Sequence, residues 1–223
     1  MSKKNNAAPV NEIDETIKAG TSFIEKHFKT IASAIGGVLA VIIICLLVNQ
    51  FYIQPNNANA ADNIAVAQQH FQQGMYEQAL NGDGTNIGFL QIIEQYGGTP
   101  SGNIARLYAG LCYAHTDRAE EAVKYLEDYD LCDDMMVSNA ALGALGNSYA
   151  QLGQNEKAVA TLLKAAKRAN STTLSPLFYL QAGQIYESLG NKAEALECYE
   201  TIKNEYPQSM QRQDIDKYIE RIK

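Results

Sequence analysis

A block of small and aromatic residues recurs along this chain at a nearly fixed stride. Gly146, Tyr149, Gly153, Ala158 and Leu162 stand 36 residues after Gly110, Tyr113, Asp117, Ala122 and Leu126, and 37 before Gly183, Tyr186, Gly190, Ala195 and Tyr199. A self-similar period of this length means stacked supersecondary units, because one unit cannot bury its apolar face without a neighbour. Such a stack presents a surface for holding partners.

Inside each copy the pattern has a physical reading. The small residues Gly110, Gly146 and Gly183, then Ala122, Ala158 and Ala195, let two antiparallel backbones approach closely, while Leu or aromatic residues fill the adjoining holes. Gly153 and Gly190 follow the first helix where a left-handed cap is needed. Each copy is therefore expected to be a helix-turn-helix hairpin. A fourth, worn copy lies upstream, with Ala67, His70, Gly74 and Ala79 in the same relative positions. Residues 81–86 interrupt it: Gly74 precedes Asp117 by 43, so about seven residues are inserted into the second helix before Phe89, Leu90, Ile92 and Ile93 resume the apolar face. Downstream, Ile215, Tyr218, Ile219 and Ile222 recur at helical spacing and read as a capping helix.

At these residues the chain resembles the tetratricopeptide repeat family, whose usual length of about 34 residues is slightly shorter than this stride. In residues 176–207, Tyr179, Ala182, Gly183, Tyr186, Gly190, Ala195, Tyr199 and Pro207 fall where that family has its signature residues, and the likeness extends over residues 60–207. The resemblance implies an all-α solenoid of three clear repeats and one interrupted repeat. It also implies that the concave wall comes from the first helices, at Gln68, Phe71, Gln72, Leu111, His115, Asn147, Gln151, Gln184, Glu187 and Ser188. Family members that clamp the C-terminal carboxylate of cytosolic chaperones use Lys and Arg on those helices. Here the corresponding positions hold Ile104, Leu107, Ala140, Gly143, Leu177 and Leu180, which disfavours that activity.

A second feature is apolar. Residues 31–48 are an uncharged run of 18, extended by Phe51, Tyr52 and Ile53, about enough to cross a hydrocarbon core of roughly 30 Å. Lys18, Lys26 and Lys29 precede the run, and no Lys or Arg follows it before Arg106. The positive-inside bias then puts the N-terminus in the cytoplasm and the repeats on the far side. A cleavable signal is the rival reading, since Ala58 and Ala60 precede Ala61 as in a cleavage site. The long leading segment, the long apolar run and the distance of that Ala pair favour an anchor. The expected organisation is a cytoplasmic segment over residues 1–30, a transmembrane helix over 31–53, a polar tether over 54–60 and the repeat domain over 61–223.

Ile13, Ile17, Gly20, Ile24 and Phe28 step by three or four, so the cytoplasmic segment is expected to carry an amphipathic helix suited to the lipid surface. Within the span, Ala32, Gly36 and Ala40 form a small-residue line able to pack against another membrane helix. Five of the 18 Lys and Arg and four of the 25 acidic residues precede the span, which leaves 13 basic against 21 acidic residues beyond it. Nucleic acid is therefore not an expected partner.

Signs of chemistry are sparse. Cys45 falls in the span, while Cys112, Cys132 and Cys198 lack the paired spacing of a structural zinc site. Buried free thiols are the expectation, with a Cys112–Cys132 pair the alternative in an oxidising compartment. Cys112 and His115 supply only two zinc ligands, His27 and His70 are isolated, and Asn81-Gly82-Asp83-Gly84 lacks the later Gly and closing Glu of a calcium loop. No Gly-rich phosphate loop or nucleophile elbow is present. We expect no cofactor and no catalysis.

The layout as a whole resembles the membrane-anchored ancillary subunit of the bacterial Sec translocon, including the interrupted first repeat with its insert at Asn81 to Gly84. That resemblance implies an inner-membrane protein with periplasmic repeats, whose partners are translocon subunits, periplasmic chaperones or exported clients. A tetratricopeptide scaffold of cell-envelope assembly and an enzyme with a site between repeats are the alternatives.

Overall fold

A computed structural model describes residues 9–134 and 136–223, with side chains from His27 onward except those of Ile31, Ile35, Tyr52 and Met135. Every regular element among the described residues is helical, and the chain divides into two units between Pro55 and Asn56.

The first unit is the long helix α1 (Pro9–Val48), followed by a π-helical turn, Asn49–Ile53. The described part of this stretch is long and apolar enough to cross a membrane, and Val38, Ile42, Leu46 and Phe51 are exposed along it. Residues 1–8, and the side chains of Ile13, Ile17 and Ile24 in the expected amphipathic stripe, lie outside what is described; Phe28 is exposed. Residues 54–60, whose composition reads as a tether, are helical and open α2 (Gln54–Gln72). Beyond Pro55 the segment holds only Asn and Ala, and nothing in it breaks a helix. Pro55 lacks a backbone donor and its ring presses on the carbonyl four residues back. The π turn just before it, closed by the Gln54 N–H on the Asn49 carbonyl, widens the backbone at that place.

In the second unit, α2 is followed by α3 (Tyr76–Asn81) and α4 (Phe89–Tyr96), the two halves of the interrupted second helix. Three complete hairpins come next: α5 (Pro100–His115) with α6 (Ala119–Glu127), α7 (Val137–Gln151) with α8 (Asn155–Ala169), and α9 (Leu174–Ser188) with α10 (Lys192–Glu205). A short 3₁₀ turn, Met210–Gln213, leads into α11 (Ile215–Ile222). Ile215, Ile219 and Ile222 are buried against Ala195, Tyr199 and Ile202, so α11 covers the apolar face that α10 would otherwise expose. Ala60 is already fully buried, which starts the packed region slightly upstream of residue 61.

The hairpins repeat their internal contact closely. A Cβ on Gly110 would lie 2.5 Å from Leu126 Cγ, one on Gly146 would lie 2.7 Å from Leu162 Cγ, and one on Gly183 would lie 2.5 Å from Tyr199 Cε1. Any side chain there would push the two helices apart. The turns repeat as well. The N–H groups of Met75, Arg118, Gln154 and Asn191 donate to the carbonyls of His70, Tyr113, Tyr149 and Tyr186, each at 2.9 Å. This is the bond that ends a helix on a left-handed residue, and the residue before each donor has that conformation: Gly74 (φ 75°), Asp117 (φ 57°), Gly153 (φ 70°) and Gly190 (φ 78°). The shared turn identifies the worn copy beginning in α2 as a true member of the series.

In the insert, the Asp83 carboxylate accepts the Thr85 N–H (2.8 Å), the Asn86 N–H (2.7 Å) and the Asn86 amide (2.9 Å), and lies 3.2 Å from His70 Nε2. These bonds, the Asn86 side chain first, hold it well below the usual carboxylate range. The stretch is a side-chain-closed turn pinned to α2. Cys112 is buried and Cys132 exposed, both free, and burial pushes the Cys112 thiol up to about 12.

Two substitutions test this register. Ala158 is fully buried, and its carbonyl is 3.3 Å from the place a Gly146 Cβ would take; Ala158→Leu is expected to cost roughly 1–3 kcal/mol in chemical unfolding by overpacking. Asp117→Gly puts glycine where the next two turns already have it and should add about 0.5–1 kcal/mol by relieving the left-handed backbone.

Candidate functional site: the face of the first helices

The first helices of neighbouring hairpins line an open trough. From α7 it receives Asn147, Ala150 and Gln151, and from α9 Gln181, Gln184, Ile185 and Ser188. Helical geometry dictates the membership, since positions three and four apart share a face. Four residues expected from the sequence, Asn147, Gln151, Gln184 and Ser188, thus meet in one place and are all exposed. Ala150, Gln181 and Ile185 were missed, although each lies three or four residues from an expected one. The lining carries amides, one hydroxyl and two apolar groups, and no charge.

Local bonds tune this surface. The Ser188 hydroxyl donates to the Ile185 carbonyl at 2.7 Å, and the Gln184 amide donates to the Tyr218 hydroxyl at 3.3 Å, which brings the capping helix to the trough's end. Gln181 Oε1 is buried without a hydrogen-bond partner.

The other expected residues are placed differently. Phe71 stands edge-on to Tyr108 (ring centroids 5.1 Å) and Tyr76 (5.6 Å), while His115 stacks on Tyr76 at 4.8 Å. Phe71 and His115 therefore bind α2, α3 and α5 together, and Leu111 packs against the same core. Gln68 is half-buried and Gln72 exposed on α2, outside the trough. Glu187 is engaged: Arg221 Nε donates to Oε1 (2.6 Å), and the second Arg221 nitrogen (2.8 Å) and the Tyr199 hydroxyl (2.8 Å) donate to Oε2. It ties α9 and α10 to α11. Spacing alone cannot separate a free wall residue from one claimed by the capping helix.

At the positions of a carboxylate clamp, Leu107 and Gly143 are buried and Ala140 is exposed. A Cβ on Gly143 would lie 2.3 Å from the Phe178 ring, so packing between α7 and α9 leaves no room there for a basic side chain. Among the described residues no group of His, Cys, Asp and Glu is placed to hold a metal ion.

Residues 89–134, 140–172 and 178–209 each match a family model of the tetratricopeptide repeat. The chain is similar in fold to a candidate kinesin light chain from Podosopora anserina built of nearly identical TPR-like repeats, at a TM-score of 0.56 and 17% identity over 74% of this chain and 85% of that one. It is also similar to the MamA protein, at a TM-score of 0.51 and 17% identity over 73% of this chain and 89% of that one. A comparison with curated protein sequences finds no match. The chain thus carries tetratricopeptide repeats in an all-helical solenoid. The family-model matches begin at α4, and the worn copy upstream is identified by its turn geometry instead.

The Glu187 network makes a pH-dependent prediction. Bonding to Arg221 first, and to Tyr199, holds the Glu187 carboxyl below the ordinary glutamate range. A depressed folded pKa contributes stability that is complete above the unfolded value, about 4.3, and lost as pH falls through the folded one. The thermal midpoint of the native chain should exceed that of Glu187→Gln at pH 7, with the gap closing below about pH 4.

Proposed function

We propose that this tetratricopeptide-repeat chain is a membrane-anchored, non-enzymatic adaptor, an ancillary subunit at the Sec translocon that grips exported clients or periplasmic chaperones. The repeats make it a protein-protein interaction adaptor. The observation that carries the reading is the uncharged trough of Asn147, Gln151, Gln181, Gln184 and Ser188. Side-chain amides offer donors and acceptors that an extended peptide backbone can use, and such recognition does not depend on the charge of the bound segment. Support for the anchor comes from the apolar helix and from the lysines confined to its N-terminal side. On this reading the N-terminus is cytoplasmic, α1 crosses the inner membrane once, and the repeats work in the periplasm. The interrupted first repeat and the layout around it support the translocon assignment by likeness.

Two experiments test the proposal. Protease added to cells with a permeabilised outer membrane should digest the repeats and leave a protected N-terminal fragment; a soluble exported domain starting near Ala61 would overturn the anchor. A photo-crosslinking residue at Gln151 or Gln184 in intact membranes should trap a translocon subunit, a chaperone or a client, and Asn147→Ala with Gln184→Ala should reduce that yield severalfold. Raising salt should change it only slightly, because no charge lines the trough. Crosslinks to cell-wall or outer-membrane assembly proteins alone would replace the translocon by an envelope scaffold.

A further inference from the structure

The three complete hairpins share a tyrosine at one position of the first helix, Tyr113, Tyr149 and Tyr186, and two of the three carry a cation from the chain on the ring. Arg118 lies over Tyr113 at 4.4 Å from the ring centroid, and Lys157 over Tyr149 at 5.1 Å. In the last hairpin the residue 37 after Lys157 is Glu194. Among the described residues no cation lies over Tyr186. What lies beside it is a cavity of about 270 Å³ between the second helices α8 and α10, with α9 beneath.

The lining is acidic and aromatic. Glu194, Glu197 and Glu205 of α10 stand at its edge, Tyr179, Tyr186 and Cys198 make its deeper part, and Leu163 and Lys167 of α8 form the opposite side. Among the described residues none of the three carboxylates and not Lys167 takes part in an ion pair. The positions of Glu194, Glu197 and Glu205 are held one repeat earlier by Lys157, Ala160 and Arg168, and in the first complete hairpin by Glu121, Lys124 and Cys132, so the three carboxylates occur together only in the last hairpin. Burial first, then the charge of Glu197, pushes the Cys198 thiol up to about 11, in keeping with a poorly solvated, electronegative floor. The volume is below the roughly 300–1,000 Å³ of pockets for drug-sized ligands, which suits a single side chain.

We propose that this cavity receives a basic side chain, best an arginine, from a partner protein docked on the layer of second helices. Its charge faces Glu194 and Glu197, and it occupies over Tyr186 the place that Arg118 and Lys157 take in the other two repeats. A planar guanidinium suits a ring face better than an ammonium does; the half-buried Tyr186 ring gives the better-desolvated contact, and the exposed carboxylates add attraction at the rim. This second docking point uses no residue of the trough.

The test uses the full chain in non-ionic detergent with ring-labelled tyrosines, titrated with the peptide acetyl-Ala-Arg-Ala-amide and with its neutral citrulline analogue. Saturable shifts of the Tyr179 and Tyr186 resonances are expected with arginine and not with citrulline. Glu194→Gln with Glu197→Gln should weaken binding on the order of fivefold to tenfold. Glu194→Lys should abolish it while leaving thermal stability intact, because it recreates the arrangement that Lys157 already has over Tyr149. Equal binding of the citrulline peptide, native affinity in Glu194→Lys, or no saturable shift at Tyr186 would each overturn the proposal. Asn147→Ala with Gln184→Ala should leave this titration unchanged, so loss of trough binding and loss of cavity binding are read separately.

Discussion

The close approach of two helices within each hairpin is the contact on which the rest depends. Gly110, Gly146 and Gly183 each receive a Leu or Tyr side chain where their own Cβ would be, with Ala122, Ala158 and Ala195 fully buried beside them. One large residue fills each such contact from within the hairpin, and others reach the neighbouring repeat, as Phe178 does against Gly143 of the preceding one. Stacking follows from this and sorts the helices into two layers, α5, α7 and α9 in one and α6, α8 and α10 in the other. The trough belongs to the first layer and the acidic cavity opens on the second.

The two ends of the stack meet the same problem, a terminal repeat with an uncovered face, in different ways. At the C-terminal end α11 lays three isoleucines on α10 and fastens itself through Arg221 to Glu187. That ion pair is only partly buried, so its worth lies more in orienting α11 than in stability. At the other end the split helix α3/α4 cannot form one continuous ridge. The rings of Phe71, Tyr76, Tyr108 and His115 fill the junction instead, and Asp83 holds the insert to α2 through His70. Aromatic side chains suit such a junction because each covers a large area with few rotatable bonds.

Both proposed docking surfaces follow from what the repeats leave unsatisfied. In the trough it is a set of exposed amides, Asn147, Gln151 and Gln184. In the cavity it is a tyrosine face without the ring-bound cation seen over Tyr113 and Tyr149, beside three carboxylates that, among the described residues, form no ion pair. A repeat protein makes such comparisons direct, since each copy serves as a control for the others.

The hairpins, their order, the insert and the capping helix were legible in the residue pattern alone. Each of these is set by local spacing: glycine where helices touch or turn, apolar residues at helical period, an interruption of about seven residues. That pattern also gave four residues of the trough, because a helical face is fixed by residue number alone. Tertiary structure decided which expected wall residues remain free. Phe71 and His115 go to an aromatic junction and Glu187 to Arg221, 34 residues away, and no periodicity encodes partners contributed by other helices. It also decided that residues 54–60 are helical, where a composition of Asn and Ala permits helix and coil alike. Spacing along one helix is a one-dimensional quantity legible in the chain, whereas competition among several helices for one side chain is settled only when they pack.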